Sequence, residues 1–86
     1  MSKQEVAKLI LAEIQPGKSV EFFVVRSFTE LPTEGNNRSV IGMHCNNAEE
    51  EREQIYGFLK EIFAKEHLKV SFLKTGDCLK GLSIAQ

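Results

Sequence analysis

Two stretches of helical periodicity alternate with runs of β-branched and aromatic residues along this chain of 86 residues. Apolar positions at helical spacing predict one helix over residues 3–15 and a second over residues 47–65. The intervening runs are typical of β-structure. They predict four strands, at residues 19–28, 39–45, 68–74 and 78–85. The predicted order is therefore αββαββ, a helix and a hairpin followed by a second helix and a second hairpin.

Local signals support both helices. Ser2-Lys3-Gln4-Glu5 is a capping box that starts the first helix, and Pro16-Gly17 ends it. Asn46 or Asn47 is placed to cap the second helix. The apolar helical positions are expected to face the core; they are Val6, Leu9, Ile10 and Ile14 in the first helix, and Ile55, Phe58, Leu59 and Ile62 in the second.

The strands predict the layers of the fold. The strand at 19–28 is apolar on both faces, which is typical of a central strand. A loop over residues 29–37 leads to its predicted hairpin partner, and Thr75-Gly76-Asp77 forms the turn of the second hairpin, with Val70 opposite Leu82. We expect one domain over residues 1–86 with an α+β fold, a two-layer sandwich of two helices on one face of a four-stranded, mostly antiparallel sheet. Apolar residues on the reverse face suggest a homodimer interface.

Composition restricts the classes of function. With 42% hydrophobic and 27% charged residues the chain resembles an ordinary globular protein. No apolar run approaches the roughly 20 residues that span a bilayer, and the first residues do not resemble a secretory signal. We therefore expect a cytoplasmic protein without a membrane partner. The net charge of −1 disfavours a general phosphate-backbone binder.

The chain has few residues of the types that bind metals or act as nucleophiles. Cys45, Cys78, His44 and His67 lack the close spacing of a metal site, and no third group orients a Cys-His nucleophile. We read the two cysteines as reduced thiols, although a disulfide would form if the two strand ends met. The sequence predicts a protein that is not an enzyme and has no metal or cofactor.

Two binding surfaces can be proposed from the residues. A cluster of acids opens the second helix, where carboxylates favour the helix dipole and can also contact a basic partner; it comprises Glu49, Glu50, Glu51 and Glu53. The alternative surface is an aromatic and basic sheet face for single-stranded nucleic acid. It would use Phe23, Arg26, Arg38 and Lys69.

A family resemblance lies in the middle of the chain. Val24-Val25-Arg26, the segment Asn36 to Gly42 (NNRSVIG) and the acid-rich helix that follows resemble the DinI family, small bacterial modulators of RecA in the DNA damage response. The resemblance covers about residues 2–65, although the chain lacks the family's opening strand and carries an added C-terminal hairpin. It implies that an acidic helix face contacts a RecA-type partner. The matching acids are Glu50, Glu53 and Glu61.

These observations favour a small protein-binding regulator, in its most specific form a DinI-like modulator of a RecA-type recombinase. The alternatives are a single-stranded nucleic-acid-binding module and an inhibitor of a host protein carried by a phage or another mobile element. The partner's identity does not follow from the sequence.

Overall fold

The computed structural model describes all residues, 1–86, and has an α+β fold. Two helices cover one face of a four-stranded mixed sheet. The elements in chain order are α1 (Lys3–Glu13), β1 (Ser19–Val25), the short 3-10 helix η1 (Phe28–Glu30), β2 (Arg38–His44), α2 (Ala48–Lys65), β3 (Lys69–Lys74) and β4 (Lys80–Ala85). The strand order across the sheet is β2-β1-β4-β3. No helix is long and apolar enough to cross a membrane.

The predicted capping box starts α1. The Ser2 N–H donates to Glu5 Oε1 at 3.0 Å, and the Glu5 N–H donates to the Ser2 hydroxyl at 3.2 Å. These hydrogen bonds favour the carboxylate and lower the pKa of Glu5. The helix ends at Glu13, two residues before the predicted end. Leu9 is exposed, so its predicted place in the core is wrong; Ala7 is buried on the helix instead.

The first predicted hairpin is wrong. β1 and β2 are parallel neighbours, with Ser19 beside Arg38 and Val25 beside His44. The other two pairings, β1 with β4 and β3 with β4, are antiparallel. Two parallel neighbours need a crossover connection of about a dozen residues or more. Residues 26–37, which connect β1 to β2, are just long enough to form this crossover.

The crossover begins with a second capping box. Glu30 Oε1 accepts hydrogen bonds from the N–H groups of Arg26 at 2.9 Å and Ser27 at 3.0 Å. Ser27 in turn accepts from the Thr29 N–H, and this arrangement opens η1. The strand therefore ends at Val25 rather than at Phe28, and the chain turns across the sheet face opposite the helices.

The crossover covers part of this reverse face. Leu31 packs against the small cluster of Phe23, Val25 and Leu79, in which Phe23 and Val25 are completely buried. Val40 and Leu73 border the same cluster. The apolar residues that suggested a homodimer interface are thus largely covered by the chain itself.

Two glycines make this packing fit. A Cβ on Gly42 would lie 2.6 Å from Leu31 Cδ1, and a Cβ on Gly81 would lie 2.5 Å from the Phe23 ring. Gly42 is beside Phe23 in the β1–β2 register. The missing side chains therefore leave room for one aromatic ring and one leucine on the reverse face.

The C-terminal hairpin is present with a different register. Val70 is opposite Ile84 and Phe72 is opposite Leu82, two residues away from the predicted pairing. The paired strands end at Lys74 and Lys80, so the turn is longer than three residues. A shift by two keeps every side chain on its predicted face because the side-chain period of a strand is two.

We predict opposite effects for two glycine substitutions. Gly81→Ala should lower the free energy of unfolding by roughly 1–3 kcal/mol because the new methyl group overpacks the site. Besides the Phe23 ring, it meets the Phe22 carbonyl oxygen at 2.8 Å, which is backbone and cannot rotate away. Urea denaturation measures this change.

Gly57→Ala is the matched control. Gly57 lies in α2 with nothing within 4 Å of an added Cβ, so alanine should raise the free energy of unfolding by about 1 kcal/mol. Equal effects of the two substitutions would show that the contact with Phe23 does not limit packing at Gly81.

Candidate protein-binding surfaces around the second helix

The longest helix has its buried face against the sheet. Ala48, Ile55, Tyr56, Leu59 and Phe63 are buried, and three acids occupy its first turn, where the helix dipole favours negative charge. Asn47 occupies the N-cap position as one of the two predicted caps, but its side chain makes no capping hydrogen bond.

The helix geometry separates the three acids that the family resemblance selects. All three are exposed. At about 100° per residue, Glu50 and Glu61 are only about 20° apart around the helix and about 16 Å apart along it. Glu53 is rotated by about 60° from Glu50 and lines a groove between α2 and β3. The outward face therefore carries Glu50 and Glu61, and Glu53 lies at its border.

None of these acids is neutralised within the chain. The structure has two ion pairs, Lys18 with Glu13 at 3.1 Å and Arg38 with Glu21 at 3.6 Å, and neither involves α2. We call Glu50, Glu53 and Glu61 the acidic face. Its charges are solvated and are available to a partner.

A groove of about 570 Å³ runs between the side of α2 and the end of the β3–β4 hairpin. Its lining residues are Arg52, Glu53, Tyr56, Gly57, Phe72, Leu73, Lys74 and Lys80. Phe72 is 64% exposed, and the Lys60 ammonium lies 4.9 Å from the centre of its ring. The groove thus combines an aromatic surface with cations.

Two side chains of α2 line this groove and bind the backbone of β1 at Val24. The Val24 N–H donates to the Tyr56 hydroxyl at 3.0 Å, and this hydroxyl donates to the Lys80 carbonyl at 2.7 Å. Arg52 donates to the Val24 carbonyl from Nε at 3.1 Å and from Nη2 at 2.8 Å. The paired residues of β1 and β4 end at Phe22 and Leu82, so these side chains replace the next rung of the ladder.

The acid–base equilibrium of the buried Tyr56 phenol is shifted. Burial disfavours the tyrosinate and raises the pKa of Tyr56 above its usual value near 10. The hydrogen bond with Val24 and the charge of Arg52 act in the opposite direction and are weaker. Tyr56 therefore stays a neutral donor and acceptor at physiological pH.

The alternative nucleic-acid surface is not assembled. Phe23 is completely buried between Gly81 and the crossover, so the expectation that it offers a stacking platform is wrong for this conformation. Arg26 follows the end of β1, whereas Arg38 and Lys69 begin β2 and β3 at the opposite end of the sheet. β2 and β3 are the two edge strands of the sheet, and three strand spacings separate them by about 14 Å.

Arg38 is also engaged within the chain. Its Nη2 donates to the Thr33 carbonyl, and its Nε lies 3.6 Å from Glu21 Oε2. These contacts attach the crossover to the first residues of β2, which gives Arg38 a structural role.

The cysteines and histidines are not brought together. No group of three or more His, Cys, Asp or Glu residues is placed to hold a metal ion, and both cysteines are free. Cys45 contacts Glu51, and the hydrogen bond to this carboxylate, together with burial, raises the pKa of the thiol. Cys78 is exposed in the β3–β4 turn with φ of 65°, and His67 has φ of 60° after α2.

Sequence reasoning missed the groove. Alternation places Phe72 on the same face as Val70, and so predicts a core position. In the structure Phe72 lies on an edge strand and lines the groove together with Gly57, which has no side chain to fill it. A glycine inside an otherwise regular helix was the available signal, because its cost in helix stability indicates a packing or binding reason.

Comparisons with protein-family models, curated proteins and solved structures found no match to this chain. The acidic face and the groove are therefore interpreted from their own geometry and charge.

We predict that Tyr56→Phe lowers the free energy of unfolding by about 1–3 kcal/mol. The substitution keeps the ring and leaves the Val24 N–H and the Lys80 carbonyl without their shared partner in a buried site. Urea denaturation of both proteins gives the difference. A change of less than about 0.5 kcal/mol, the range of ordinary surface substitutions, would mean that water replaces the hydroxyl.

We also predict that the protein loses stability at alkaline pH through Tyr56. The folded state retains the phenol proton at a pH where the unfolded chain has released it. The free energy of unfolding therefore falls as pH rises from about 10 towards the higher folded-state pKa. Tyr56 is the only tyrosine and the chain has no tryptophan, so tyrosinate absorbance reports this residue alone. Titration of the native protein at or below pH 10 would contradict the prediction, and Tyr56→Phe should reduce the alkaline loss of stability.

Proposed function

We propose that this chain is a small protein-binding regulator that contacts a basic surface of its partner through the acidic face of α2. The observation that carries the proposal is that Glu50, Glu53 and Glu61 are exposed on one side of a well-anchored helix without any ion pair. Charges that are uncompensated and held on a rigid element favour complementary recognition and fast association.

The anchoring of α2 supports this role. Tyr56 and Arg52 bind the helix to the β1 backbone, and its buried residues belong to the main hydrophobic cluster. A rigid helix holds the spacing of about 16 Å between Glu50 and Glu61 without an ordering cost on binding. The surface is therefore suited to a partner with cations at a matching spacing.

The most specific version of the proposal is a modulator of a RecA-type recombinase. It rests on the DinI resemblance of the acid-rich helix and of the segment 36–42. In this chain most of that segment belongs to β2, which is parallel to β1 and does not form a hairpin with it. The support from the acidic helix is therefore stronger than the support from the strand segment.

Charge reversal tests the acidic face. We expect the triple variant Glu50→Lys, Glu53→Lys, Glu61→Lys to lose binding to a partner that the wild-type protein retains from host lysate. A triple variant, Glu34→Lys, Glu66→Lys and Asp77→Lys, makes the same change in net charge at exposed acids that lie outside the acidic face and form no ion pair. A protein retained by the wild type and this control, but lost from the first variant, identifies the partner of the acidic face.

Purified RecA on single-stranded DNA tests the specific version directly. Binding to these filaments that weakens with added salt and is lost in the Glu50, Glu53, Glu61 variant would support a RecA modulator. Equal binding by all three proteins to every candidate partner would overturn the acidic-face proposal. If none of the three proteins bound RecA, only the recombinase version of the proposal would be overturned.

A further inference from the structure

The outer strand β3 has an unpaired side. Lys69–Lys74 pairs with β4 on one side, and the strand order β2-β1-β4-β3 places no strand on the other. Backbone N–H and C=O groups on a free edge can pair with an extended segment of another chain. This edge is short and accessible, with four of its six residues exposed.

The groove beside this edge provides a site for a side chain of such a segment. Phe72 is the large apolar residue of β3 that remains mostly exposed, and it shares the groove with Tyr56 and Gly57. A Cβ on Gly57 would meet no atom within 4 Å, so α2 leaves open space in this part of the groove. An apolar side chain from an added strand would cover Phe72 in this space.

The charge around Phe72 identifies the chemistry of the added strand. Lys69 and Lys74 are the two ends of β3, Lys60 lies over the Phe72 ring, and Lys80 lines the groove. None of these lysines forms an ion pair. Glu53 is the one acid in the groove lining, against Arg52 and two lysines. Acidic side chains on the incoming segment would complement this excess of cations.

We propose that the free edge of β3 binds an extended acidic segment of a partner protein, adding it to the sheet as a fifth strand with an apolar residue on Phe72 and carboxylates beside Lys69 and Lys74. Main-chain hydrogen bonds supply the general affinity, and the groove and lysines supply the selectivity. This surface differs from the acidic face in charge and in the type of contact it offers.

A second copy of the chain fits this edge less well. Pairing of β3 with itself would bring Lys60, Lys69 and Lys74 from both copies to one seam. Like charges placed across a strand pair are destabilising. Lysines on an edge strand are also a common protection against self-association. The acidic segment relieves this repulsion, whereas a second copy increases it.

Two labelled peptides test the proposal. The first is Asp-Asp-Val-Thr-Val-Thr-Val-Asp-Asp, and the second has the same central residues between lysine pairs. We expect the acidic peptide to raise fluorescence anisotropy on binding and the lysine-flanked peptide to bind at least about tenfold more weakly. On binding, the β3 amides that face away from β4 should gain protection from hydrogen exchange.

Matched variants locate the site. Phe72→Ser should weaken binding of the acidic peptide by about tenfold because it removes the aromatic contact. Phe28→Ser is the control, since Phe28 is similarly exposed at 59% and lies in η1 outside the groove. A double reversal, Lys69→Glu with Lys74→Glu, should invert the preference between the two peptides, whereas Lys8→Glu with Lys65→Glu should preserve it.

The outcomes separate the alternatives. Absence of acidic-peptide binding, equal binding of both peptides, or equal losses in Phe72→Ser and Phe28→Ser would overturn the proposal. A concentration-dependent dimer in sedimentation that dissociates in Phe72→Ser would assign the edge to a second copy instead. The acidic face is unchanged in these variants, so failure here leaves the function proposed for Glu50 and Glu61 to its own test.

Discussion

The contact between α2 and the Val24 peptide group fixes how the two layers fit together. β1 is a central strand, and a central strand normally pairs on both sides. At Val24 the antiparallel neighbour β4 is no longer paired with it, yet the peptide group is buried and needs partners. Tyr56 satisfies its N–H and relays to Lys80, while Arg52 satisfies its carbonyl. Hydrophobic burial is non-directional, so these bonds give α2 a defined position on the sheet.

The same constraint determines which surfaces are free. On the helix side, the fixed position of α2 leaves a groove between its flank and β3. On the reverse side, Gly42 and Gly81 leave room for Leu31 and the Phe23 ring, and Leu31 of the crossover packs on the cluster of Phe23, Val25 and Leu79. A broad aromatic sheet face is therefore absent, and the surfaces that we propose for recognition are the outward face of α2 and the free edge of β3.

Local signals in the sequence predicted much of the fold. The capping box at Ser2 and the helical spacing of α2 depend on near neighbours, and the structure contains both. Strand direction depends on more than near neighbours. The continuous apolar run Phe22–Val25 indicates a strand that is buried on both faces, which is typical of parallel strands but also fits a central strand between antiparallel neighbours. The Ser27-Phe28-Thr29-Glu30 capping box was the available sign that residues 26–37 form a crossover with a 3-10 turn instead of a simple hairpin loop.

The candidate surfaces were predictable to different degrees. Helical spacing alone places Glu50 and Glu61 opposite the buried stripe, so their exposure follows from the sequence. Burial of Phe23 and exposure of Phe72 do not, because the environment of each residue depends on which segment covers its strand. The strand order decides this: Phe23 lies in a central strand beneath the crossover, and Phe72 lies at an edge that α2 covers only in part.

The two proposed surfaces are on adjacent sides of one helix and have opposite charge. Glu53 is at their boundary, in the groove lining with Lys74 and Lys80, while Glu50 and Glu61 point away from them. Since Tyr56 and Arg52 hold α2 to β1, binding at the edge would add contacts to a helix already fixed. The acidic face should keep its geometry whether or not the groove is occupied. The two proposed sites would then allow one small domain to connect a basic and an acidic partner.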